Sequence, residues 1–362
     1  MKIIDNKSNI LFVGDLMFGD MPINFGNGFD SKHSYNKYAR IFDGVKAHLD
    51  DSAYVIGNFE AVIKPRPNEL SINSWVMCCD EYICRQLSDS NFNIINIANN
   101  HVTDYGKKYF KYTCECLSEA GIKIIGLKDK PYEIIELNNK KIAIIGVSYV
   151  KSSLMLMDIP YFYNPSIRDV SDLIENIGVV DYIIAYVHWG YEYIDLPDQN
   201  QIKIAADLKN SGVDLIIGHH SHITQEPVLF CGVPICFSLG NFISDYWQKR
   251  LRKSSILCVS FADKIKLSQV RCYIDDNGTP HAIQKEELVL ENFDRILASN
   301  FRVNLERWRM RVEIILHFIK NIANIKDKSG VIKWVCRRII YITRNMYKEF
   351  KNPEIIYEKY KH

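Results

Sequence analysis

The chain lacks several of the simplest markers of function. Its ten cysteines form no C-x-x-C pair, and their scatter fits neither a zinc ribbon nor a disulfide framework. Several lie inside apolar stretches (Cys114, Cys116, Cys236, Cys258), which reads as buried free thiols in a reducing compartment. No segment reaches the roughly 18 uncharged apolar residues of a spanning helix, and residues 1–15 lack the apolar core of a signal peptide. There is no internal repeat and no low-complexity tract. Net charge is also scarce, at +2 over 362 residues, so no nucleic-acid footprint is imposed by the total.

What is present is an ordinary globular composition, 47% hydrophobic and 24% charged, with aromatics raised to 12%. The small net charge hides a split. From Arg295 onward there are roughly 16 basic against 6 acidic residues, and the remainder carries roughly 29 basic against 37 acidic. The chain therefore divides into an acidic body, 1–290, and a basic extension, 291–362.

Short apolar runs end repeatedly in polar or glycine residues: 10–13, 53–56, 93–98, 141–147, 182–187 and 213–217. Runs apolar on both faces are buried strands. Helical patterns alternate with them at 107–120, 167–177 and 198–210, two of them closed by Gly121 and Gly178. Residues 133–147 read as a hairpin, and 234–242, 255–261 and 264–274 as further strands. The class is α/β, or mixed α+β. Beyond 290 two helices are expected, 302–324 and 331–350. In the second, Lys333, Arg337, Arg344 and Lys348 form a cationic stripe beside an apolar face with Trp334. Such a helix lies in a membrane interface or packs on the body or a partner.

The polar residues at the ends of those runs carry the chemistry. Asp15, Glu60, Asn100, His101, His188, His220 and His222 all fall just past expected strand termini, where α/β sheets bind ligands. Each has a plain alternative. Gly14-Asp15 could be a turn, Glu60 a surface carboxylate, Asn99-Asn100-His101 a helix cap, and His188 a hydrogen-bonded core imidazole. Three histidines within residues 219–222 are harder to dismiss. At strand spacing His220 and His222 share a face and form a ready chelate, with His219 a further possible ligand. Carboxylate, amide and imidazole donors without thiolate suit manganese, iron or zinc.

The segments 12–15 (FVGD), 57–60 (GNFE), 98–106 (ANNHVTDYG), 188–193 (HWGYEY), 212–222 (GVDLIIGHHSH) and 237–242 (FSLGNF) occur in an order that resembles the CapA family. This is the poly-γ-glutamate capsule biosynthesis (PGA_cap) family of the calcineurin-like metallophosphoesterase superfamily. The resemblance covers roughly residues 8 to 275, and the extension lies outside it. It implies a four-layer αββα sandwich with two divalent metals on one rim. Asp15, Glu60, Asn100, His188, His220 and His222 match metal positions, with Glu60 as the bridge. His101 matches the imidazole that assists the reacting phosphate, with Asp104 as the nearby partner for its tautomer. Tyr191, Glu192 and Asn241 are the expected substrate contacts. Two departures stand out: Asp15-Leu16-Met17 replaces the common Asp-x-His, and His-Ser-His replaces His-Pro-His.

The implied activity is metal-dependent phosphoester hydrolysis in the synthesis of a capsule or extracellular polymer, polyglutamate or polysaccharide. The alternative is a non-catalytic, metal-binding assembly or polymer-binding component of a capsule synthesis or export complex. Expected partners are an anionic polymer or phosphoester substrate, and a membrane or capsule-machinery contact through the C-terminal helices. Nucleic acid is not expected, because the acidic body shows no basic groove. The expected location is the cytoplasm or the inner face of the membrane.

Overall fold

The computed structural model describes residues 7–152, 159–261, 264–293, 300–321, 328–333 and 335–337. Along the chain come strands β1 (Asn9–Leu16), β2 (Tyr54–Phe59) and β3 (Phe92–Asn96), then helix α1 (Gly106–Glu119). Next are β4 (Lys123–Ile125), β5 (Tyr132–Leu137), β6 (Lys140–Ser148), α2 (Ile167–Ile177), β7 (Tyr182–His188), α3 (Gln199–Asn210) and β8 (Leu215–His219). The second half adds β9 (Val228–Phe230), β10 (Val233–Cys236), β11 (Asn241–Ile243), β12 (Lys253–Phe261), β13 (Ile265–Ile274), β14 (Pro280–Glu287) and α4 (Asn300–Asn321).

Two sheets result. The first runs β14-β13-β12-β1-β2-β3-β4, with β11 also paired to β1; the second runs β9-β10-β8-β7-β6-β5. The central strands of each are parallel; antiparallel hairpins finish both edges of the second sheet and the β14 edge of the first, while β4 at its other edge runs parallel to β3. Period-two alternation explains why β1 is apolar on both sides. Ile10 and Phe12 face the second sheet, where they join Ile144, Ile184, Tyr186 and Ile217 in a dry inter-sheet core. Leu11 and Val13 point the other way, into a cluster shared with Phe110 and Leu117 of α1. On the far side of the second sheet, Val147 and Val187 meet Val170 of α2 and Ala205 and Leu208 of α3. The expected four αββα layers are therefore present. All ten cysteines are free, and only Cys231 and Cys336 are exposed.

Several boundaries differ from the sequence expectation. Strand β1 continues to Leu16, so Asp15 lies inside it, and His188 is the last residue of β7. The run 234–242 is not one strand. It leaves the second sheet after Cys236 and joins the first as β11. The switch passes through Gly240, at φ 70°. Here Asp15 N donates to Gly240 O at 3.0 Å, and a Cβ on Gly14 would stand 2.2 Å from that oxygen. Both glycines permit the crossing that brings β11 against β1.

The basic extension packs on the body. Met310 of α4 is buried with Met17, Tyr246 and Leu251, and Phe318 with Phe25 and Trp75. Arg250 bonds Glu306 at 2.9 Å, and His317 stacks on Trp247 with ring centroids 3.9 Å apart. Of the second expected helix, 331–333 and 335–337 are helical, with Val331 and Val335 in the same cluster as Phe318 and with Lys333 and Arg337 exposed. Trp334, Arg344 and Lys348 lie outside the described residues. Among the described residues, no helix is long and apolar enough to cross a membrane.

Candidate metal centre

The ends of β1, β2, β7 and β8 converge at one rim of the sandwich. Parallel pairing sets β1 beside β2, and β7 beside β8 with His188 opposite His219. The loop after β3 adds Asn99, Asn100 and His101. Five separate chain segments thus deliver carboxylate, amide and imidazole groups to one buried place.

Asp15 is wholly buried and heavily bonded. Its Oδ1 lies 2.9 Å from His219 Nδ1 and accepts from Asn58 Nδ2 at 2.8 Å. Its Oδ2 accepts from the His220 backbone N–H at 3.2 Å and lies 3.4 Å from His222 Nδ1. Burial alone would raise its pKa, but His219 and His222 more than offset that and hold it well below the usual carboxylate range.

Glu60, one residue beyond β2, is the opposite case. It is fully buried, yet neither carboxylate oxygen has a hydrogen-bond donor. Oε1 stands 3.7 Å from His188 Nε2 and 3.9 Å from His101 Nε2. Burial, and then the charge of Asp15, push its pKa well above the ordinary range. A buried carboxylate left without donors is costly, and a bound cation removes that cost. Glu60 belongs to two potential ligand sets, Glu60-His220-His222 and Asp15-Glu60-His188, each with donor atoms within 4.8 Å of one another. His220 Nδ1 is likewise buried and unpartnered. Oxygen and imidazole donors of this kind fit divalent transition metals.

His188 bonds Asn100 Oδ1 through Nε2 at 2.8 Å and accepts from Asn58 at Nδ1, 3.2 Å away. Burial, and then His220, hold His188 well below the ordinary imidazole range, while burial takes His220 down to about 4. Both are neutral near pH 7, the state in which imidazole ligates. His220 and His222 do not reach the site by strand spacing, because β8 stops at His219. Both adopt left-handed backbone, φ 85° and 58°, so a turn aims them inward. His219 falls outside both ligand sets; it buttresses Asp15 while its ring packs edge-on to Tyr186, with centroids 4.2 Å apart.

His101 sits at the mouth. Its Nδ1 meets Asp104 Oδ2 at 2.7 Å, which turns Nε2 toward Glu60. Burial works against its charge, but Asp104, with Glu60 and Glu192, raises it to about 9. Tyr191 and Glu192 line the adjoining cavity. Asn241 is placed differently from the expected substrate contact. It is fully buried behind His222, 2.8 Å from Nδ1, and its amide donates to Leu251 O at 3.1 Å. That geometry positions His222.

The sequence reading missed Asn58, the hub of this network. Its amide donates to both Asp15 and His188, and its carbonyl accepts from Asn96 and Asn99 at 2.9 and 3.4 Å. The available signal was its place between Gly57 and Glu60 in a motif already singled out.

Comparison with known proteins finds relatives of this sequence. The profile of the family described as "Bacterial capsule synthesis protein PGA_cap" matches residues 9–246. "Capsule biosynthesis protein CapA" of Bacillus anthracis is 26% identical over 76% of this chain and 66% of its own length. "PGA biosynthesis protein CapA" of Bacillus subtilis (strain 168) is 26% identical over 86% of this chain and 83% of its own. A 5′-nucleotidase structure from Candida albicans aligns over 87% of this chain and 60% of that one, at 12% identity and a TM-score of 0.41.

Proposed function

This chain belongs to the bacterial capsule synthesis protein PGA_cap family, and on that premise we propose that it is a metal-dependent phosphoesterase acting in the synthesis of a capsule or extracellular polymer. The observation that carries the chemical part is Glu60: a carboxylate with no donor, in reach of His101 and His188 and common to two ligand sets. The capsule part rests on the family and on the names of its two Bacillus relatives.

Asp15, Glu60, Asn100, His188, His220 and His222 would hold the ions. Bound there, divalent cations supply Lewis acidity toward phosphoryl oxygens and lower the pKa of water. The remaining work falls to the chain. Asp104 fixes the ring of His101, whose Nε2 protonates the leaving oxygen or stabilises phosphoryl charge. Asn58 orients Asp15 and His188, Asn241 orients His222, and His219 with the His220 backbone N–H steadies Asp15.

The test is hydrolysis of a generic phosphoester with added manganese, beside elemental analysis of the same sample. Metal-dependent turnover that collapses in His101→Ala supports the proposal. Full metal content without turnover would instead favour a binding or assembly role in a polymer-export complex. For partners, the outward apolar side chains Leu305, Trp308, Leu316 and Ile319 of α4 offer a surface to an anionic membrane or capsule machinery. Co-sedimentation with anionic vesicles tests the membrane form.

A further inference from the structure

We propose that the cavity beside the metal centre holds the esterified group of the substrate, and that this group is bulky, without net charge and partly apolar. The inference rests on the phosphoesterase reading above and names its substrate class. The cavity measures about 890 Å³, and Asn100 and His220 line it, so it is continuous with the proposed phosphoryl site. Clefts of roughly 300–1,000 Å³ take drug-sized ligands, and a phosphoryl group alone would leave most of this one empty.

Its lining excludes a polyanion as the favoured occupant. Lys151, Lys203 and Arg311 are balanced by Glu192, Asp198 and Asp207. With three charges of each sign, the walls offer no net field for a highly charged chain. Apart from a few amides and Ser166, the uncharged lining is aromatic and aliphatic. Tyr149, Tyr163, Ile167 and Ile204 contribute from the body, and Ile314 and Ile315 from α4. Rings or alkyl groups bury against such walls. Because α4 lies beyond the family-matched residues 9–246, this wall is supplied by the chain's own extension. The extension therefore takes part in choosing substrate.

The experiment uses the full chain loaded with manganese and three inert phosphonates, read by calorimetry. Methylphosphonate is the small probe, 1-naphthylmethylphosphonate the bulky one, and 2-carboxyethylphosphonate adds a second negative charge. The bulky probe should bind about tenfold or more tighter than the small one, and the carboxylate should add nothing. Ile315→Ala and Ile167→Ala, one from each wall, should each shrink the bulky probe's advantage by about threefold or more. If small and doubly charged probes bind while the bulky one gains nothing, the substrate class is overturned and the phosphoesterase reading stands. If no phosphonate binds to protein of intact metal content, both fall.

Discussion

Glu60→Gln separates a metal centre from a merely buried carboxylate, because the two predict opposite signs. In the metal-free protein, Glu60 costs stability: it is fully buried and neither oxygen has a donor. Replacing it with a neutral amide of the same shape should leave the metal-free protein at least as stable as the parent. In the metal-loaded protein the same change removes a donor common to both ligand sets. Losing even a residue that only supports a ligand typically costs 10–100-fold in metal affinity, so losing this shared ligand should cost about 100-fold or more.

The melting temperature converts that into an observable. A ligand at about 100 times its dissociation constant stabilises by about 2.7 kcal/mol. At roughly 2–3 °C per kcal/mol for a chain of this size, the parent should gain about 5–8 °C on adding manganese. At the same concentration, a 100-fold weaker site gains only about 0.4 kcal/mol, near 1 °C. Thermal melts of both proteins, with chelator and with manganese, give all four values. An equal manganese gain in parent and variant refutes the ligand role. A metal-free variant melting well below the metal-free parent refutes the cost assigned to the unpartnered carboxylate.

Three further outcomes follow from the same structure. His101→Ala should lower phosphoester turnover by about 10²–10⁴ with metal content unchanged, and Asp104→Asn should lower it less; unchanged turnover in both removes the proton-donor role. Asp30 accepts from Tyr38 at 2.6 Å, Arg66 at 2.6 Å and Trp75 Nε1 at 2.7 Å, so Asp30→Ala strands these donors and should cost about 2–4 kcal/mol in urea unfolding, with a loss under 1 kcal/mol counting against it. Burial, and then Asp20, raise Asp245 to about 7. Its contribution is therefore complete below the ordinary carboxylate range and is lost as pH rises through about 7, by about 4 kcal/mol at most. Asp245→Asn should flatten that decline between pH 5 and 8, and parallel stability curves for parent and variant would show that another group causes it.

The legible part of this molecule is the part that short segments encode. Alternating apolar runs gave the strands and the class, because burial on both faces is written into consecutive residues such as those of β1 and β6. The candidate donors were legible because each stands beside such a run. What stayed hidden depends on pairing between distant segments. Asp15 was expected beyond its strand, yet β1 extends through it because β2 on one side and β11, more than 220 residues later, on the other both pair with that end. No local pattern reveals that Asp15 and His219 meet at 2.9 Å, or that Asn58 joins both halves of the donor set. His220 and His222 do fall in one candidate ligand set, but not for the geometric reason the strand period suggested. Their left-handed backbone is a property of the turn after β8, and the strand period does not apply there.

The extension shows why an amphipathic sequence underdetermines its own placement. One apolar stripe with a cationic rim suits a bilayer surface and a protein surface equally. Helix α4 has two stripes. Val303, Met310 and Phe318 are buried on the body, while Leu305, Trp308, Leu316 and Ile319 face outward. The inner stripe accounts for the docking of the helix, and it sets Ile314 and Ile315 along the cavity that reaches the candidate metal centre. The change in charge near residue 290 is thus a boundary of composition. The packing crosses it, and the extension closes one side of the cleft that the body opens.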